Sequence, residues 1–136
     1  MIRRADEAEL KSWDKLVFKN PDGGHIYQSY EWGEYKAQYD WIPTRLIWES
    51  SKSKVAIQTT RKSAAGFGTI WYIAKGPGMF PRYKPGKNDV QKFAKFTEEL
   101  AEYIKQADPK ALMIMVDPEL QDGSLDPRTA GWKKSV

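Results

Sequence analysis

Cysteine is absent from the 136 residues of the chain, which excludes disulfides, thiolate metal sites and a cysteine nucleophile. Histidine is nearly absent. His25 stands alone, which argues against both a His-based zinc site and a Ser-His-Asp triad. No apolar run approaches the roughly 20 residues needed to span a bilayer. The N-terminus turns acidic at Asp6 and Glu7 with no apolar stretch behind it, which is unlike a secretory signal. These absences lead us to expect a soluble, cytoplasmic protein with no transmembrane segment.

What is present is a composition that folds: 40% hydrophobic, 13% aromatic and 29% charged residues. The length suits one domain with one core. Six Trp is high for such a chain; large aromatics fill cores, and they also line clefts and partner surfaces. The net charge of +4 is uneven. Residues 45–95 carry eleven basic and two acidic side chains, whereas both flanks are net acidic. Such a segment attracts RNA or a phosphorylated substrate. Charge alone favours the simpler alternative, a solvated Lys-rich face that aids solubility.

Asp6 and Glu9 have capping-box spacing ahead of Leu10, Trp13 and Leu16 or Val17, which predicts a helix over residues 7–19. Asn20-Pro21-Asp22-Gly23-Gly24 ends it. Ser29 caps a second expected helix over 29–39, with Trp32, Tyr35 and Tyr39 on one stripe. The period then changes. Residues 45–49 and 54–61 read as a hairpin and 69–74 as a third strand, stopped by Gly76-Pro77-Gly78. A basic loop over 82–87 leads to the most periodic helix, capped at Asn88 or Asp89 and ending near Ala107. Its buried stripe is Val90, Phe93, Phe96 or Thr97, Leu100 and Tyr103 or Ile104. Residues 111–116 are a continuous apolar run, the mark of a strand covered on both faces. Residues 119–136 read as a polar tail in which Gly131-Trp132 signals returning structure. The fold class expected is α/β (α+β), a mixed sheet flanked by helices. A meander followed by a helix and a buried strand is the opening of an acetyltransferase-like (GNAT) fold.

Three segments, read together, resemble the Fem family of tRNA-dependent peptidoglycan interpeptide-bridge aminoacyltransferases. They are Gln28-Ser29-Tyr30-Glu31-Trp32-Gly33-Glu34-Tyr35-Lys36 with Trp41-Ile42-Pro43, then Ile70-Trp71-Tyr72-Ile73-Ala74-Lys75-Gly76-Pro77-Gly78, and finally Met115-Val116-Asp117-Pro118-Glu119-Leu120. The resemblance covers nearly the whole chain, with order and spacing kept. Phe80 and Pro81 depart from it, standing where relatives often place an acidic residue. The family is built from two GNAT-like subdomains in a chain about twice this length or more. The resemblance therefore implies that residues 1–136 are an incomplete N-terminal subdomain, that the second subdomain is absent, and that this fragment is inactive alone. Its implied chemistry takes an amino acid from the ester of aminoacyl-tRNA and gives it to a stem-peptide amine of a peptidoglycan precursor. The acceptor is UDP-MurNAc-pentapeptide or its lipid-linked form, the latter bringing the protein near a membrane surface. The ester is already activated, so no cofactor or metal is implied, and catalysis rests on positioning and on help for the oxyanion.

The resemblance assigns substrate binding to Lys36, Trp32, Tyr72, Gly76 and Pro77. Lys36 holds the nucleotide end of the precursor, with Gly33 one turn earlier leaving room for the anion. It assigns Asp117 to the attacking amine, which a carboxylate can orient or deprotonate. The residues themselves leave plainer alternatives open: an exposed helix Lys, a rigid Gly-Pro turn, and Asp-Pro as a strand stop. Trp32, Trp41, Trp48 and Trp71 read as core, and His25 as structural. Lys52, Lys54, Arg61 and Lys62 form the candidate phosphate or RNA patch, expected on one side of the sheet. Two rival functions remain. One is a GNAT-like small-molecule N-acyltransferase, which a coenzyme A loop would support. The other is a non-catalytic domain binding RNA or an anionic polymer, marked by salt-dependent binding without turnover.

Overall fold

A computed structural model describes residues 1–81 and 86–119. Most of the basic loop from Arg82, and the tail from Leu120 onward with Gly131-Trp132, lie outside the described residues.

Asp6 does cap a helix. Its carboxylate accepts from the Glu9 N–H at 2.8 Å, and the Glu9 carboxylate accepts from the Asp6 N–H at 2.9 Å. The single helix expected here is broken at Ser12 into α1 (Glu7–Lys11) and α2 (Trp13–Phe18). Ser12 turns its hydroxyl onto the Ala8 carbonyl at 3.0 Å, the local bond by which Ser competes with helix continuation. The break lets Trp13 and Val17 bury against Ile47 and Ala56 of the sheet. Each such side chain contributes about 1.5–3 kcal/mol on leaving water.

A short 3-10 turn at Ile26–Gln28 precedes α3 (Tyr30–Ala37). The Ser29 hydroxyl caps α3 by accepting from the Trp32 N–H at 3.2 Å. β2 (Ile42–Ser50) and β3 (Ser53–Ser63) form the expected hairpin, turning through Ser51 and Lys52. β4 (Thr69–Ile73) pairs with the end of β3 around Thr60–Ser63. α4 (Lys87–Ala107) then crosses over to β5 (Ala111–Val116), which runs parallel to β4. One strand was not expected: β1 (Ile2–Arg4) pairs antiparallel with Leu46–Trp48. Its three residues are too few to show a period.

The chain is thus a mixed α+β domain whose five-stranded sheet runs β1-β2-β3-β4-β5. α4 covers one face. Phe93, Phe96, Leu100 and Ile104 pack there on Leu46, Trp48, Val55, Ile57, Trp71 and Ile73, close to the stripe its periodicity predicts. α1, α2 and α3 lie on the other face. On that side Arg3, Glu9, Lys54 and Glu49 join in an ion-pair network, with Arg3–Glu9 at 2.8 Å and Lys54–Glu9 at 2.6 Å. The Arg3 guanidinium, and then Lys54, hold the Glu9 carboxyl far below the usual carboxylate range despite its burial.

β5 corrects an expectation. It is an edge strand in the described sheet and is not covered on both faces, with Leu112 60% and Met113 46% exposed. An apolar run without alternation shows that both faces lack polar side chains, and it does not show what covers them.

Candidate functional site

β3 outruns β4, having 11 residues against 5. The backbone groups of Ala56 and Gln58 therefore extend past the β4 ladder, and side-chain amides complete them. The Asn20 amide accepts from the Ala56 N–H at 2.9 Å and donates to the Ala56 carbonyl at 2.8 Å. The Gln28 amide accepts from the Gln58 N–H at 2.8 Å and donates to the carbonyls of Gln58, at 3.1 Å, and Ala74, at 2.8 Å. A primary amide has the donor and acceptor of a peptide group, so each stands in for a missing strand residue. The Gln58 side chain in turn donates to the Ser29 carbonyl at 2.7 Å and accepts from Arg45 Nε at 3.0 Å. These bonds fix the start of α3 on the sheet.

Gly33 belongs to this packing. An added Cβ would lie 2.3 Å from Gln58 Oε1 and 2.7 Å from Arg45 Nη2. Its smallness therefore serves the approach of α3 to the sheet. This corrects the expectation that Gly33 leaves room for an anion beside Lys36.

The exposed side of α3 and the ends of β3 and β4 form a shelf whose hub is Trp41. Lys36 Nζ lies 5.5 Å from the Trp41 ring centre and 5.9 Å from that of Trp32. Lys62 Nζ lies 5.7 Å from the same Trp41 ring and donates to the Tyr39 carbonyl at 3.3 Å. Tyr72 approaches Trp41 with ring centres 6.4 Å apart. Two ammonium groups around one indole are attracted by its π face and repel each other, and an anion between them would relieve that repulsion.

Tyr72 leads from the hub to Asp117. Its hydroxyl donates to Asp117 Oδ2 at 3.3 Å, and Lys75 Nζ lies 3.4 Å from the same oxygen. Burial, and then the nearby Asp117 charge, push the Tyr72 phenol above its ordinary value, so it stays a donor. The Asp117 side chain is partly open to solvent, which leaves room for an incoming donor such as an amine. Its backbone N–H donates to the carbonyls of Ile73 at 3.2 Å and Gly76 at 3.1 Å. Nearby, the His25 imidazole accepts from the Tyr27 N–H through Nδ1 at 3.1 Å, and its Nε2 lies 3.6 Å from Glu119.

Of the site residues read from the sequence, the structure brings together Trp32, Lys36, Lys62, Tyr72 and Asp117. Gly76 and Pro77 are buried behind them, where Gly76 touches Gln28 and Ile73. They shape the turn that follows Lys75, and the Gly76 carbonyl accepts from the Asp117 N–H at 3.1 Å. The remaining cations do not gather beside them. Lys52 is exposed at the hairpin turn, and Lys54 is paired with Glu9. About 26 Å of strand separates Lys54 from Lys62, at roughly 3.3 Å per residue. Arg61 points to the α4 side, over Trp71 and 3.9 Å from Asp108. Period-two alternation puts Arg61 and Lys62 on opposite faces, which corrects the one-sided patch.

The tryptophans also divide. Trp48 and Trp71 are core, whereas Trp32 and Trp41 are half-buried and line the shelf. Sequence reasoning missed Tyr27, Trp41, Lys75 and Glu119 as members of the site. A usable signal for Trp41 was its place just before β2, beside the face to which period-two alternation turns Lys62 of β3 and Tyr72 of β4. It also missed buried Asp108, which accepts from Thr69 and from Trp71 Nε1 at 2.8 Å. The Thr69 bond, followed by Trp71, keeps the Asp108 carboxyl below its usual range despite burial. Among the described residues no group of His, Asp and Glu could hold a metal, and no helix is long and apolar enough to cross a membrane. Neither a scan against family models nor a search of curated proteins finds a match to this chain.

Proposed function

We propose that the chain carries part of the cleft of a tRNA-dependent aminoacyltransferase of the Fem type, acting on a peptidoglycan precursor. The observation that carries this reading is the arrangement around Trp41. Lys36 and Lys62 lie 5.5 and 5.7 Å from the centre of its ring, and Tyr72 links it to the partly open carboxylate of Asp117. An acceptor with a diphosphate at one end and an amine at the other suits that pairing. The cations take the phosphates, and Asp117 orients the amine toward the ester or receives its proton. The sheet supports a GNAT-like layout, with antiparallel strands through β4, a crossover through α4 and a parallel β5. With a lipid-linked acceptor the shelf would work close to a membrane surface.

The test is binding of UDP-MurNAc-pentapeptide, followed by tryptophan fluorescence because Trp32 and Trp41 line the shelf. Lys36→Ala is expected to weaken binding by about tenfold, the loss of one charge-assisted contact, with an unchanged melting temperature. Undiminished affinity in the variant, or no binding by the parent chain, defeats the assignment.

A further inference from the structure

The two edges of the sheet are guarded differently. β1 is three residues long and carries Arg3 and Arg4, the short, charged form that resists pairing with another chain. β5 is six residues long and reads Ala-Leu-Met-Ile-Met-Val, with no charge and no proline. Among the described residues only β4 pairs with it. Leu112 and Met113 are exposed there, and the turn between β3 and β4 enlarges the apolar surface. A Cβ on Gly68 would lie 2.6 Å from Leu112 Cγ, so the turn rests on that side chain, and Phe67 beside it is 84% exposed. Between β5 and α4 opens a groove of about 440 Å³ whose walls include Ala101, Ile104, Leu112 and Ile114.

We propose that β5 is the contact through which two copies of this chain form a closed dimer, the two strands lying antiparallel about a two-fold axis. With the strand ends matched, Ala111 lies opposite Val116, Leu112 opposite Met115 and Met113 opposite Ile114, so every opposed pair is apolar. The two five-stranded sheets become one, and side chains turned toward α4 close the groove from the partner's side. Charge selects a second copy. The row of α4 beside the groove runs Glu98, Ala101 and Lys105 at helical spacing, and both charged residues are exposed. The axis sets the two α4 helices antiparallel, which brings Glu98 toward the partner's Lys105 on each side. A foreign extended peptide can also add to an open edge, but this chain itself supplies the matching order of charges. Each copy has one such edge, so association stops at two. Lys36, Lys62 and Asp117 take no part, so the dimer and the acceptor site stand or fall separately.

Sedimentation equilibrium of the 136-residue chain over a range of concentrations is the test. The mass is expected to rise to twice that of one chain and level off. Met113→Lys puts two like charges beside the axis and should weaken association by at least about a hundredfold. Its melting temperature should hold under conditions where both proteins are monomeric, because the side chain is exposed in a single copy. If that variant does not fold, Leu112→Lys, at the most exposed side chain of the strand, reads the same loss. Lys105→Glu should weaken the dimer by about threefold or more, and adding Glu98→Lys should restore it. The proposal falls if the chain stays monomeric, the result expected where another part of the chain or a different protein covers the edge. It falls too if the mass climbs past two copies, if a folded Lys variant associates as the parent does, or if the exchange of charges between positions 98 and 105 does not restore the dimer.

Discussion

Replacing Gln28 by Ala should be among the most destabilising single changes in this chain, although Gln28 is polar and lies in a loop-like turn. Its side chain is 2% exposed and makes three hydrogen bonds to backbone groups of Gln58 and Ala74. Truncation leaves one N–H and two carbonyls without that partner inside the protein. Each such group costs about 1–3 kcal/mol, and water entering the vacated space recovers part of it. A net loss of about 3 kcal/mol is expected, which lowers the melting temperature by roughly 10 °C for a domain of this size. Urea unfolding followed by circular dichroism measures it, with an unchanged m-value if the fold is kept. Gln28→Glu sharpens the test. It keeps the acceptor for the Gln58 N–H but turns a carboxylate oxygen toward two carbonyls, so burial and those oxygens raise its folded pKa. Stability of that variant should fall as pH rises from the unfolded value of about 4.3 through the folded value, and recover in acid. A loss below about 1 kcal/mol in Gln28→Ala, the size of an ordinary exposed change, would refute the role of the amide as a surrogate strand residue.

Two further perturbations test the packing. Glu9 titrates lower in the folded state because of Arg3 and Lys54, so its contribution is present above the unfolded carboxyl pKa and is lost as pH falls toward the folded one. Glu9→Gln should therefore flatten the stability–pH curve below about pH 4. An unchanged acid limb would mean the ion pairs contribute nothing. Gly33→Ala should lower the melting temperature by several degrees, since the overlap with Gln58 and Arg45 costs about 1–3 kcal/mol against roughly 1 kcal/mol gained in helix propensity. A raised melting temperature would place Gly33 on an open face.

Local patterns in the sequence carried much of the fold. The Asp6 and Ser29 caps, the turn at Ser51 and Lys52, the stripe of α4 and the limits of β5 each depend on residues near in sequence. Features that need tertiary partners were hidden. Nothing local marks Ile2–Arg4 as a strand, and an Asn or Gln that replaces a missing ladder looks like a loop polar residue until β3 is seen to outrun β4. The shelf was half legible. Trp32, Lys36, Tyr72 and Asp117 come together, but aromatic content alone could not separate buried Trp48 and Trp71 from partly open Trp32 and Trp41. Arg61 and Lys62 were a different case, because adjacent strand residues face opposite ways whatever their charge.

The pairing of β1 with β2 bears on the order in which the domain is made. Ile2 faces Trp48 and Arg4 faces Leu46, so β1 must wait during synthesis until more than forty residues have followed it. Closing that span costs chain entropy before any ladder bond forms. The β2–β3 hairpin, closed by two residues, needs no such delay. Synthesis should thus yield the hairpin first, with α1 and α2 free to settle on Ile47 and Ala56. β1 is then recruited backward onto an edge its own successors have prepared.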